Sequence, residues 1–87
     1  MRLEELVDID YQVAENVANI ADSVRSVNPK IKTPIKVPAA IIANSGSKFF
    51  KCQVIINIER KHHNFRIYST EEVSPDEYLD MYSNMKK

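Results

Sequence analysis

The first segment of the chain carries apolar residues at a helical spacing. From Leu3 to Val27 they recur every three or four positions, and the opposite positions are acidic or polar. This pattern predicts an amphipathic helix, which ends at Asn28-Pro29 because proline disfavours the helical conformation for the residue before it. Three adjoining heptad rows form the predicted apolar stripe: Leu3, Asp10, Val17 and Val24; Leu6, Val13, Ile20 and Val27; and Val7, Ala14 and Ala21.

This stripe has two interpretations. The simpler one is a long helix that packs on a sheet. The other is a pair of helices from two chains, since the stripe is longer than a small three-stranded sheet covers. In that second interpretation Asp10 resembles the polar residue that sets the register of a coiled coil, and the protein is a homodimer.

The next segment alternates with a period of two, which is typical of extended chain. Residues 30–37 place basic and apolar side chains on opposite sides, and Pro34 and Pro38 restrict this piece to an edge strand or an extended arm. Ala39 to Asn44 predicts a short buried strand, and Ser45-Gly46-Ser47 predicts the turn that follows it.

The strongest strand pattern runs from Phe49 to Glu59. A polar loop over Arg60 to Asn64 separates it from a further predicted strand, Phe65 to Thr70. One face of the central strand is apolar and is expected to pack on the helices. Its members are Phe50, Cys52, Val54, Ile56 and Ile58.

The last segment has a clear helix start. Ser74 can cap the helix, Pro75 suits its first position, and Glu77 completes a capping box. We therefore expect a short helix over about 75–85. The whole chain, 1–87, predicts a single α+β domain of order α-β-β-β-α. We expect a three-stranded antiparallel sheet, or one extended by an extra edge strand, that is covered on one face by both helices.

Composition removes several classes of function. The chain has 87 residues, one glycine and one cysteine. A single glycine excludes glycine-rich phosphate loops, and a lone Cys52 excludes an internal disulfide and a cysteine-based zinc site. No apolar run is long enough to span a membrane, and the N-terminus has no apolar signal core. We expect a cytoplasmic, non-enzymatic protein with no cofactor, no metal and no membrane partner.

A net charge of zero conceals three blocks of unlike charge. Residues 1–24 hold six acidic residues and one basic residue (net −5), and residues 25–66 hold nine basic residues and one acidic residue (net +8). Residues 67–87 hold five acidic residues and two basic residues (net −3). The acidic blocks coincide with predicted helices and the basic block with predicted strands. Such a polarised surface is typical of a protein with a charged partner.

The basic block predicts a nucleic-acid interface on the sheet face that the helices leave open. Lysine and arginine neutralise phosphates, and an exposed tyrosine can stack on an unpaired base. The candidate binding residues are Lys51, Arg66 and Tyr68 on that face, Arg60 and Lys61 in the adjoining loop, and Lys32 and Lys36 along the edge. The leading hypothesis is a small regulator that binds RNA or DNA.

Two other functions remain open from the sequence. One is a protein-binding module or inhibitor, for which a dimer through the acidic helix or an origin in a phage or mobile element stays open. The other is a metal-independent ribonuclease, in which His62 or His63 acts as acid or base beside Lys61, Arg66 and Tyr68.

Overall fold

The chain folds as a three-stranded antiparallel sheet with one helix before it and one after it. The computed structural model describes residues 3–85 and confirms the predicted order α-β-β-β-α, with strand order β1-β2-β3 in the sheet. None of the described helices is long and apolar enough to cross a membrane. The elements are α1 (Leu3–Val27), β1 (Ile35–Ser45), β2 (Lys48–Ile58), β3 (His63–Val73) and α2 (Pro75–Met85).

Strands β1 and β2 form a hairpin with a two-residue turn. Ser45 pairs with Lys48, and Gly46 between them has a φ of 61°, a conformation that glycine adopts without steric cost. The two predicted pieces at 30–37 and 39–44 are one strand from Ile35 onward, whereas residues 30–34 lie outside the sheet. Pro38 fits inside β1 because β1 is an edge strand.

Helix α1 packs on the even-numbered face of β2, as the sequence predicted. The buried helix residues follow an i, i+4 row rather than the predicted heptad rows, so Leu3 and Val7 stay exposed. The i, i+4 ridge is inclined to the helix axis, and α1 therefore meets the sheet along an oblique line. The core joins Ile9, Val13, Val17 and Ala21 of α1 to Phe50, Cys52, Val54, Ile56 and Ile58 of β2.

A β-bulge shifts the pairing of β3 with β2. Phe49 lies opposite Val73 and Val54 lies opposite Ile67, so β3 contains one residue more than β2 between these two pairs. Tyr68 is the residue without a directly opposite partner. Because side chains alternate between the faces, the bulge reverses which β3 positions face α1.

Helix α2 lies against the opposite face of the sheet from α1, which differs from the prediction that both helices share one face. The ring centroids of Tyr78 and Phe49 are 4.5 Å apart, and Phe49 belongs to the odd-numbered face of β2. On the same face Ile42 and Val73 are 6% and 7% exposed. The bulge explains the difference, since it places Val73 opposite Phe49 and only Ser74 separates Val73 from α2.

The predicted cap of α2 is present. The Ser74 hydroxyl accepts a hydrogen bond of 3.2 Å from the backbone N–H of Glu77, and the Ser74 carbonyl accepts one of 2.9 Å from Tyr78. The bond to the hydroxyl satisfies an N–H group that a helix leaves unpaired at its start, and the bond to the carbonyl is the first one within the helix. The helix therefore begins within one residue of the strand.

Gln12 of α1 closes part of the exposed edge of β1. Its side-chain Nε2 donates to the Asn44 carbonyl at 2.6 Å, and the Asn44 N–H donates to Gln12 Oε1 at 3.0 Å. An open strand edge invites pairing with another chain, and this pair of bonds occupies it. The bonds also fix the position of α1 along β1.

We expect Gln12→Ala to lower the free energy of unfolding by about 1–2 kcal/mol, because it leaves the Asn44 backbone groups without these partners. Urea denaturation followed by circular dichroism measures the change. Asn19→Ala, at an exposed position of the same helix, is the control. Equal stability of the two variants would contradict this role for Gln12.

Candidate nucleic-acid interface

The face of the sheet opposite α1 is divided into a covered half and an open half. Helix α2 covers the hairpin end, where Ile42, Phe49 and Val73 lie. Toward the β2–β3 loop the same face is bare. There the exposed side chains are Lys36 and Pro38 of β1, Ile55 of β2, and Arg66 and Tyr68 of β3, which we call the open half.

Tyr68 is the aromatic centre of the open half. Its side chain is 56% exposed, and its hydroxyl donates a hydrogen bond of 2.9 Å to Gln53 Oε1. With Ile55 and Arg66 it lines a shallow pocket of about 170 Å³. Tyr68 faces this side because it follows Ile67, which lies opposite Val54 on the α1 side, and the bond to Gln53 holds its ring there.

A second basic feature lies at the end of the sheet. The connection between α1 and β1 and the β2–β3 loop border an open crevice of about 510 Å³. Lys32 contributes from the connection, and Arg60 and Lys61 contribute from the loop. Ile31, which is buried, anchors the connection against the core. The alternation of residues 30–37 identifies Ile31 as part of the apolar side of this segment. The sequence does not reveal that Ile31 lines a crevice.

Arg25 holds the end of β2 in place. Its Nε donates to the Glu59 carbonyl at 2.8 Å, and another of its nitrogens lies 3.3 Å from Nδ1 of His63. A 3.6 Å ion pair with Asp22 completes its contacts. Arg25 is thus engaged with the fold, and the loop that carries Arg60 and Lys61 starts from a fixed point.

The side chains of the two adjacent histidines have different surroundings. His62 is exposed in the loop, and its Nε2 lies 2.6 Å from Glu59 Oε2. His63 begins β3 opposite Ile58 and approaches Arg25 of α1. The two imidazoles therefore do not share a single site. Within residues 3–85 no group of three or more histidine, cysteine, aspartate and glutamate residues could hold a metal ion.

The structure brings six of the seven candidate residues to one end of the sheet. Lys32, Arg60 and Lys61 border the crevice, and Lys36, Arg66 and Tyr68 occupy the open half. Lys51 lies apart from them. Its side chain is only 27% exposed, and its Nζ is 3.8 Å from Glu71 Oε2 in the direction of α2. The separation comes from the strand itself, since Lys51 is four positions along β2 from Ile55, the residue opposite Arg66, or about 13 Å.

The charge blocks of the sequence become two ends of the molecule. The acidic start of α1 lies at the hairpin, where Asp8 accepts a hydrogen bond from Ser45 and Glu5 pairs with Lys48 at 3.2 Å. The end of α1 lies at the basic loops, through Arg25 and Glu59. The longest extent of the molecule is 41 Å, so the acidic and basic ends are well separated.

Comparison with protein-family models, with curated proteins and with solved structures gives no match. The function is therefore argued from the geometry alone.

Cys52 is placed as a core residue. It is fully buried, and this burial raises the pKa of its thiol above the ordinary value. The charge of Asp10 acts in the same direction, while a side-chain hydrogen bond with Thr70 acts against it. Because the thiolate is the nucleophile, a buried thiol with a raised pKa is poorly suited to covalent chemistry.

We expect Cys52 in the folded protein to react with DTNB far more slowly than it does in urea. The reaction is followed by absorbance at mildly alkaline pH, with free cysteine as the rate standard. A native-state rate close to that of the standard would show that Cys52 is accessible, and would overturn its assignment to the core.

Proposed function

We propose that this protein is a small non-enzymatic regulator that binds single-stranded nucleic acid at the basic end of its sheet. The observation that carries the proposal is the open half, where an exposed tyrosine ring, an arginine and a shallow apolar pocket adjoin on a bare sheet face. Sheets that present aromatic and basic side chains together suit unpaired bases and their phosphates.

Four side chains of the open half have distinct tasks in this proposal. Tyr68 stacks on a base, and Ile55 supplies apolar contact beside the ring. Arg66 and Lys36, from opposite edges of the sheet, neutralise phosphates on either side. The bond between Tyr68 and Gln53 supports stacking, since a ring held in place loses less freedom when a base lands on it.

The crevice extends the same surface. Asn57, which pairs with Lys36, is two positions before Glu59 at the crevice wall, a distance of about 7 Å along the strand. A strand of nucleic acid that crosses the open half can therefore continue toward Lys32, Arg60 and Lys61. The acidic start of α1 lies at the hairpin, which favours approach of an anionic strand from the basic end.

We expect affinity for labelled oligo(U) and oligo(dT) to fall with added salt, because each phosphate contact to a single strand contributes about −0.7 to the slope of log K against log salt. Arg66→Ala and Lys36→Ala should each make the slope shallower by about that amount. Fluorescence anisotropy over a salt series measures the slopes.

Lys48→Ala is the matched control for the salt series, since Lys48 lies at the hairpin end beside Glu5. Its slope should equal that of the unaltered protein. Absence of binding to either probe at low salt would rule out the proposed function, and shortening of the probe on incubation would rule out its non-enzymatic part.

Tyr68 separates stacking from simple charge attraction. We expect Tyr68→Ala to weaken binding about tenfold, a loss within the range measured for stacking on one base. Tyr68→Phe keeps the ring and loses only the bond to Gln53, so its affinity should fall by much less than that of Tyr68→Ala. Equal affinity of all three proteins in the same titration would remove stacking from the proposal.

A further inference from the structure

Helix α1 presents a second row of apolar side chains that does not touch the sheet. These side chains are mostly exposed: 77% for Leu3, 44% for Leu6, 58% for Val7 and 72% for Tyr11. With the exposed Ala14 they span an arc of about 140° around the helix. We call these five residues the outer row. Isolated exposed apolar residues need no explanation, but a continuous row over three turns does.

The outer row begins at Leu6 on the side of α1 that faces β3, and it continues through Val7 and Tyr11 on the side away from the sheet. Asp8 and Gln12 hydrogen-bond to the end and outer edge of β1, and Leu6 and Asp10 lie about 160° around the helix from them. Helix α1 lies chiefly over β1, so the neighbouring side of β3 is only partly covered. Phe65 and Ile67 of β3 are half-buried there.

The position of α2 leaves the α1 side of β3 uncovered. In a sheet with both helices on one face, the second helix would occupy the space beside α1. Here α2 packs on the opposite face, against Phe49. Thr70 and Glu72, which the register places on the α1 side of β3, are exposed as a result.

The charged residues that α1 itself contributes around the outer row are acidic. Residues 3–24 contain six acidic residues and no lysine, arginine or histidine. Glu5 pairs with Lys48 and Asp22 with Arg25. The ion pairs found among residues 3–85 include none for Glu4, Asp10 or Glu15, which lie within or beside the outer row.

We propose that the outer row is the docking site for a cationic amphipathic helix of a partner protein. The apolar row would accept the partner's apolar stripe, and the acidic groups would pair with its lysines and arginines. A second copy of this chain fits less well. In a symmetric dimer each copy would bring the same acidic residues to the contact, with like charges opposed.

The probe for the test is a synthetic helix of leucine and lysine, with leucines at i, i+3, i+4 and i+7. Anisotropy of the labelled peptide measures its affinity for the full chain. We expect the double variant Val7→Ser/Tyr11→Ser to bind it about tenfold more weakly, because two apolar side chains would no longer be buried. Val27→Ser, which alters an exposed valine at the far end of α1, should bind unchanged.

A second peptide with glutamate in place of every lysine tests the charge argument, and it should bind far more weakly than the first. Thermal unfolding monitored by circular dichroism establishes that the variants are folded. Equal binding of the lysine peptide to the double variant, no binding to the unaltered protein, or equal binding of the two peptides would overturn the proposal. A dimer in light scattering that Val7→Ser/Tyr11→Ser dissociates would also overturn it, since a second copy would then occupy the row.

Discussion

The bulge at Tyr68 determines how the two faces of this sheet are used. A single extra residue in β3 reverses the facing of every position after it. If the register of residues 63–67 of β3 continued to the end of the strand, Val73 would lie opposite Lys48, on the α1 side. With the bulge Val73 lies opposite Phe49, and the chain enters α2 on the other face. The location of α2 and the uncovered α1 side of β3 both follow from this one irregularity.

The second constraint on the structure is a set of hydrogen bonds that attach α1 to the sheet near both ends of the helix. Near its start Asp8 and Gln12 bond to Ser45 and Asn44, and near its end Arg25 bonds to the Glu59 carbonyl. These contacts fix the direction of the helix as well as its position. An acidic segment and a basic segment that are separate in sequence thereby become opposite ends of one molecule. The charge separation is therefore directed along the long axis, and internal pairing cancels only part of it.

The sequence was sufficient for the elements and for the main core. The period of α1, the alternation in β2 and the Ser74 cap each depend on local physics, and each element is found where its pattern predicted it. The placement of α2 was not predictable, because a bulge leaves no composition signal at Tyr68 and its effect depends on pairing between strands. The ion pair of Lys51 with Glu71 was not predictable for the same reason, since that cross-strand contact depends on the register. The heptad rows predicted for α1 were also not the residues that contact the sheet, because the apolar residues of this segment can form more than one apolar face on a helix.

The two proposed partners have opposite charge and would bind at opposite ends of the folded molecule. The open half carries one exposed ring, so most of its affinity would come from phosphate contacts, with little dependence on base sequence. The outer row would instead combine apolar burial with local ion pairs. At physiological ionic strength charges are screened beyond about 8 Å, well short of the 41 Å length of the molecule. A ligand at one end would therefore change affinity at the other only if it moved the sheet or α1. The rigid tether of α1 through Gln12 and Arg25 argues against such movement, and the two surfaces should act independently.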